Sequence, residues 1–420
     1  MNDKHSVHKR WLPTLAFAGF AIGIVTIALT GGELRYSDER EYLEIAGSLA
    51  AGEGFRLDGQ PTAFRPPTWP GLLAVAMSLG LPPVALPAIS AACLVGAALL
   101  ARGVAKNIAG EPAGWMAAFG VLLYPLNVYT ATTLYPQALA MLLLLFPLYL
   151  LSTRFETRTP PHWVLAVTGL SCALLVLAVP TMAMTASAII AATLWRWRSH
   201  WLRVVVVAGI AAILPVTAWT ARNYSEFDEL VPVSTATGVN LLLGNSENST
   251  VSSGAGADIE RYTDEAAARQ LTETARNDYF TAKALAWVKD HPLETASLYG
   301  AKFLNYFSPY NAPHTAEAGT RQAAFLAWVT YAPLLAIALA RLLGARVLGP
   351  LRSPEQLMWV LFAGNALFMA VTFTRTRFRQ PLDALLVIEA AVVIGLLISA
   401  WLQAHRSPRP TGAAPGTRPA

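Results

Sequence analysis

Charge and sulfur are what this chain has least of. Only 14% of its 420 residues are charged, where about 25% is usual for a soluble globular protein. Two cysteines, Cys93 and Cys172, are too few for a disulfide scaffold. Both fall in separate apolar runs, where a small core residue is a simpler reading than a disulfide or metal ligand. No internal repeat is evident. What fills the chain instead is apolar sequence, 54% of it, in runs long enough to cross roughly 30 Å of hydrocarbon as helices. The formal net charge of +5 says little about nucleic acid in such a chain, and no nucleic-acid partner is expected. The placement of the basic residues carries the information.

The expected fold class is an all-α polytopic membrane protein of about 10 transmembrane helices, with a re-entrant or juxtamembrane helix and a small α+β extracytoplasmic cap. Spans are expected near 11–31, 84–102, 113–130, 138–152, 163–179, 181–197, 203–221, 322–343, 355–373 and 381–402. The first is longer than the ~7–15-residue core of a signal peptide, so an uncleaved signal-anchor is expected. The run from Thr68 to Leu81 is short, and Pro82 and Pro83 end it, so it is read as non-crossing. With a cytoplasmic N-terminus, that choice puts Arg102, Lys106, Arg154, Arg158, Arg196, Arg198, Arg203, Arg341, Arg346 and Arg352 inside. Every short inside loop is then basic, as the positive-inside rule asks. Counting Thr68–Leu81 as a crossing inverts the later loops. The division expected is a membrane core over 1–221 holding a first outer loop at 32–83, a cap at 222–321, closing helices at 322–403, and a disordered cytoplasmic tail at 404–420. In the cap, Val231–Val233 with Gly238 and Gly244 reads as strand and turn, Asp258–Asp290 as helix, and Leu293–Phe307 as an amphipathic helix.

Candidate chemistry collects on the outer side. The loop YSDEREYLEIAGSLAAGEGF opens acidic and offers a helix with Tyr42, Ile45, Ala46 and Leu49 on one face. Asp38 and Glu39 begin it; Asp38 with Glu41 also resembles a capping box, which alone could account for an acid there. Arg65 follows, pinned by Pro66, Pro67 and Pro70. The run Arg375, Arg377, Arg379 breaks the positive-inside pattern, and Arg222 sits at a membrane boundary on the same side. An anionic ligand, snorkelling to lipid phosphates or a miscounted span would each explain them. Glu389 stands alone deep in the last span, either as a functional acid or as a balance for those arginines.

A carboxylate beside a phosphate clamp at a lipid surface suits transfer of a sugar from a lipid phosphate. The carboxylate takes the proton of the attacking hydroxyl, and arginines stabilise the departing phosphate. Glycosidases need two carboxyl groups because an alkoxide leaves poorly. A phosphate leaves as a stable anion, so one can suffice.

The segments SDEREYLEIAGSLAAGEGF, AFRPPTWPGLLA, WTARNYSEFDELVPVSTATGVNLLLGN and RFRQP, in that order, resemble the GT-C-fold glycosyltransferases that use polyprenyl-phosphate sugars. These include lipid A aminoarabinose transferases and protein O-mannosyltransferases. The resemblance implies an inverting membrane glycosyltransferase acting at the outer face of the cytoplasmic membrane, with a polyprenyl-phosphate-linked sugar as donor and a glycan, lipid or protein as acceptor. It implies Asp38 as general base, Glu39 as its acidic neighbour, Arg65 on the carrier phosphate, and Arg222, Arg375, Arg377 and Arg379 lining the same pocket. Tyr42, Gln137 and His314 are the candidate substrate contacts. In TLYPQAL, Gln137 stands where many relatives carry an acid; it can orient a sugar hydroxyl but cannot act as a base. No metal ligand set is assigned, and a divalent metal stays open. A transporter or flippase of the same lipid-linked sugar, or an inactive scaffold, would share the arginine phosphate site.

Overall fold

A backbone in hydrocarbon must satisfy its hydrogen bonds within its own segment, and a helix does so. The computed structural model describes residue 21 and residues 34–154, 157–252, 256–311 and 320–406, and these are overwhelmingly helical. The expected first span, His314 and the tail beyond Arg406 lie outside the described residues. In chain order the helices are α1 (Ser37–Ala50), α2 (Thr68–Ser78), α3 (Pro87–Ala109), α4 (Glu111–Leu123), α5 (Pro125–Ala131), α6 (Gln137–Arg154), α7 (His162–Val176), α8 (Ala183–Arg196), α9 (Trp201–Phe227), α10 (Thr237–Gly244), α11 (Glu260–Ala268), α12 (Glu273–Asp290), α13 (Pro292–Tyr306), α14 (Arg321–Leu343), α15 (Ala345–Leu348), α16 (Ser353–Met369) and α17 (Thr376–Arg406). Five helical stretches are long and apolar enough to cross a membrane: Pro83–Ala109, Gln137–Arg154, Arg198–Phe227, Arg321–Leu343 and Thr376–Gln403. This is a helical membrane protein.

Every expected span within the described residues finds a helix, although several are short. The run expected at 113–130 breaks where Pro125 follows Tyr124, whose extended backbone separates α4 from α5. Helix α2 has 11 residues, about 16 Å at the usual rise. That is about half a hydrocarbon core. It is tied down, with the Trp69 indole donating to the Leu134 carbonyl at 2.6 Å.

Two local readings are corrected. The cap's described residues hold no strand; the two-residue strands Arg56–Leu57 (β1) and Gln60–Pro61 (β2) form a hairpin in the first outer loop instead. Val231 and Val233 spend their carbonyls on the Asn223 amide and the Trp219 indole of α9, each at 2.8 Å, so they are not free to pair in a ladder. The first turn of α1 is capped by Glu39, whose Oε1 accepts the backbone N–H groups of Tyr36 and Arg35 at 3.2 and 3.1 Å, and not by the expected Asp38–Glu41 pair.

The core is continuous from α1–α3 through α4, α6–α8 and α16–α17. Helix α17 runs through it, packed on α3, α4, α6, α14 and α16. Cys93 and Cys172 are free thiols within that core. Helices α7 and α9 approach closely at Gly169, where a Cβ would overlap the Ala208 carbonyl. Gly209, one residue on, faces open space. Gly169→Val should therefore lower the detergent-solubilised melting temperature, by about 1–3 kcal/mol of overpacking strain, while Gly209→Ala leaves it within error. Equal melting curves for the two variants would contradict this packing.

Candidate active site

Three segments distant in sequence meet at one carboxylate. Asp38 sits in the first turn of α1, Arg65 in the Pro-rich connection to α2, and Arg377 in the first turn of α17. The Asp38 Oδ1 accepts Arg65 Nη2 at 2.8 Å, and Oδ2 accepts Arg377 Nη1 at 2.8 Å. Arg65 also donates through Nε to Glu41 at 2.6 Å. Its guanidinium lies 5.3 Å from the Tyr42 ring centroid and 5.0 Å from that of Phe64. Arg377 lies 4.6 Å over Tyr135. Arg65 lies in a bend just before Pro66, and its side chain reaches back to α1. Burial pushes the Asp38 carboxyl upward, but Arg377 and then Arg65 outweigh it and hold it below the usual carboxylate range. Burial alone would lower the Arg65 guanidinium, and its anionic neighbours hold it above its ordinary value.

This trio lines a cleft of about 740 Å³, counting its open mouth. Tyr42 and Gln137 line it too, so of the candidate residues Asp38, Arg65, Arg377, Tyr42 and Gln137 are brought together. The remaining described candidates do not line it. Glu39, 3% exposed, turns inward; besides its two N–H bonds within the first turn, its Oε2 accepts Leu134 N–H at 2.8 Å. Burial raises its carboxyl, only partly offset by those three backbone donors. Arg222 donates to the carbonyls of Thr62 and Phe55 at 2.7 and 2.8 Å, among the rings of Trp219, Phe55 and Phe227. It braces the backbone leading to Arg65. Arg375 reaches the Ser252 carbonyl at 3.3 Å. Arg379, 1% exposed, pairs with Asp383 at 2.8 Å and donates to the Tyr306 and Ser308 carbonyls. Asp383 thus does the balancing that Glu389 was a candidate for; both Glu389 oxygens are buried without a hydrogen-bond partner.

Sequence reasoning missed several contributors. Glu273, at the start of α12, accepts from Thr62 Oγ1 and Ala63 N–H, both at 2.8 Å, and from Thr235 Oγ1 at 2.5 Å. Ser234 Oγ donates to the Phe64 carbonyl at 2.6 Å. The cap thereby grips the strand-like segment that carries Arg65. Tyr135 and Ser234 lie inside motifs that attracted attention for their neighbours. Thr181 sits at the break between α7 and α8, a place where the sequence offers only Pro180 as a signal.

Among the described residues no group of three or more His, Cys, Asp or Glu side chains is placed to hold a metal ion. Two guanidinium groups occupy the Asp38 oxygens, and backbone N–H groups occupy those of Glu39. Glu39→Gln should lower stability by about 1–3 kcal/mol, read as a fall in melting temperature, because it sets an amide N–H₂ against backbone donors. A variant of unchanged stability that had lost turnover would instead assign Glu39 to the chemistry.

No protein-family model matches the chain, and no curated protein matches it. Among solved structures, the Archaeoglobus fulgidus oligosaccharyltransferase in the apo form aligns with a TM-score of 0.56 at 16% identity, over 96% of this chain and 53% of that one. The archaeal oligosaccharyltransferase AglB from the same organism, in complex with an inhibitory peptide and a dolichol-phosphate, gives 0.53 at 16% identity, over 97% and 53%. This chain thus spans about half the length of the oligosaccharyltransferases it matches. ArnT from Cupriavidus metallidurans bound to undecaprenyl phosphate aligns at 0.43 and 14% identity over 96% of this chain and 81% of that one, too loosely to add weight. The sequence is far from all of them, but over the part that aligns, the path of the chain is shared with the Archaeoglobus fulgidus oligosaccharyltransferase.

Proposed function

We propose that the protein is an inverting glycosyltransferase of the cytoplasmic membrane, moving a sugar from a polyprenyl-phosphate carrier to an acceptor hydroxyl at the outer face. The observation that carries this reading is the carboxylate of Asp38 held at 2.8 Å by each of two cleft arginines, Arg65 and Arg377. A general base and a phosphate clamp are needed within one substrate's reach, and here they are in contact. The basic inside loops support the outward orientation, with both termini cytoplasmic. The acceptor is a glycan, lipid or protein hydroxyl.

In the free site Asp38 and the arginines satisfy each other. A donor phosphate competes for the same guanidinium N–H groups, which are numerous enough for both anions to share. As it takes them, Asp38 regains a free oxygen. The acceptor hydroxyl, placed against that oxygen, attacks the anomeric carbon. Its proton passes to Asp38, a new C–O bond forms, and the bond from the anomeric carbon to the phosphate oxygen breaks with its electron pair on the phosphate. Arg65 and Arg377 stabilise the charge that develops there. Glu39, Glu273 and Arg222 act at one remove, fixing α1 and the Arg65 segment.

Asp38→Asn keeps the volume but removes the charge that occupies the arginines. It should abolish transfer, by about 10²–10⁴-fold or more, while tightening binding of the polyprenyl phosphate. Arg65→Ala should weaken donor binding about tenfold or more, since a charge-assisted hydrogen bond contributes about 1.5–3 kcal/mol. Retained turnover in the first variant, or unchanged donor affinity in the second, would sink these roles. The pH dependence has a definite sign. The arginines hold Asp38 below the usual carboxylate range in the free protein, so the acid limb of kcat/KM should lie below that range. Donor phosphate offsets the arginines, so the acid limb of kcat should lie higher. Coincident limbs would mean the phosphate does not displace Asp38.

A further inference from the structure

The cleft has a second wall that the acid–base scheme does not use. Gln137 is the first residue of α6, 3% exposed, and its side-chain oxygen is buried with no hydrogen-bond partner. The Thr181 hydroxyl, in the turn Pro180–Met182, is likewise buried and unpartnered. Both residues line the cleft that holds Asp38. Buried polar atoms are ordinarily satisfied, and two orphans on one cleft wall point to a hydroxyl-bearing ligand that satisfies them.

The wall is held in register with the acid. Leu134, three residues before Gln137, donates its N–H to Glu39, the neighbour of Asp38, at 2.8 Å. Pro136 then fixes the entry to α6. The Thr181 carbonyl accepts the Asn365 amide of α16 at 3.2 Å, which anchors that turn from behind. Gln137 and Thr181 are thus placed relative to Asp38 by bonds that do not involve substrate.

The wall is also uncharged. The charged side chains lining the cleft, among the described residues, are Asp38, Arg65 and Arg377, and these are engaged with one another. A phosphate would occupy the arginines and the acceptor hydroxyl would occupy Asp38. An ammonium or carboxylate on the sugar ring would then meet uncharged side chains, the Gln137 amide and the Thr181 hydroxyl among them, losing its hydration without a counter-charge.

We infer that Gln137 and Thr181 form the sugar subsite and select an uncharged sugar, a plain hexose or pentose with free ring hydroxyls, over amino sugars and uronic acids. This rests on the glycosyl-transfer reading above. Sites built to hydrogen-bond substrate hydroxyls discriminate strongly, because a poor ligand leaves buried groups unpaired.

The test uses the full chain in detergent or vesicles with three polyprenyl-phosphate donors, carrying a neutral hexose, an amino sugar or a uronic acid. The protein should transfer the neutral sugar with kcat/KM at least about tenfold above either charged one. Gln137→Glu should shift the ratio of amino to neutral sugar by about tenfold or more in favour of the amino sugar. Thr181→Val, which adds no charge, should raise the KM for the neutral donor several-fold and leave the amino-to-neutral ratio nearer to that of the wild type. Equal use of the three donors by the wild-type chain, or a ratio unmoved by Gln137→Glu in a folded protein, would overturn the subsite while leaving the transferase reading intact. Transfer of none of them, with lipid phosphate still bound, would overturn both.

Discussion

A carboxylate lowered into a cleft at a membrane surface loses hydration and must recover it from the protein. Asp38 recovers it from two guanidinium groups, Arg65 and Arg377, which lie 27 and 339 residues away along the chain. The rest of the described structure arranges that meeting. Helix α17 threads the bundle core and delivers Arg377 from one side; the hairpin loop, braced by the cap, delivers Arg65 from the other. The acid offsets the repulsion between the two guanidinium groups, and Arg65 has Glu41 as a second partner. The arginines, in turn, hold the Asp38 carboxyl below the usual carboxylate range against the effect of its burial.

The supporting charges do a different job from the central ones. Glu39, Glu273, Arg222 and Arg379 are engaged largely with backbone groups, and each fixes a loop that cannot fold into regular structure. Glu39 joins α1 to the segment before α6, Glu273 and Arg222 hold residues 62 and 63, and Arg379 ties the start of α17 to the end of α13. An ionised group spent on backbone N–H or C=O groups is poorly placed to act on a ligand. This separates the residues that line the cleft from those that hold the segments around it.

Much of this was legible in the sequence, for identifiable reasons. Long apolar runs bounded by basic loops pointed to the helical membrane class, and the shortness of Thr68–Leu81 matches the 11-residue helix α2. Asp38 stood out as an acid opening the first polar loop after an apolar run, and Arg65 as a cation pinned by Pro66, Pro67 and Pro70. What failed was inference from charge alone: of five arginines expected on the outer face, Arg65 and Arg377 line the cleft and Arg222, Arg375 and Arg379 do not. Their difference lies in partners brought by distant segments, such as Asp383 one turn along for Arg379 and the Thr62 carbonyl for Arg222. The cap's strands failed for a related reason, since Val231 and Val233 had β-branched propensity but their carbonyls were claimed by α9. Gln137 was noticed as a substitution for an acid, whereas its unpaired buried amide is visible only in three dimensions.

The central claim is that the Asp38–arginine centre breaks and makes a glycosidic bond, instead of merely holding a lipid-linked sugar for passage. The most direct measurement is reconstitution of the purified chain in vesicles with a polyprenyl-phosphate sugar and an acceptor, following both the sugar–phosphate bond and the leaflet in which the lipid resides. The expected result is release of polyprenyl phosphate in step with a new glycoside of inverted anomeric configuration. Movement of the lipid-linked sugar between leaflets with its phosphate bond intact, and no glycoside formed, would contradict it.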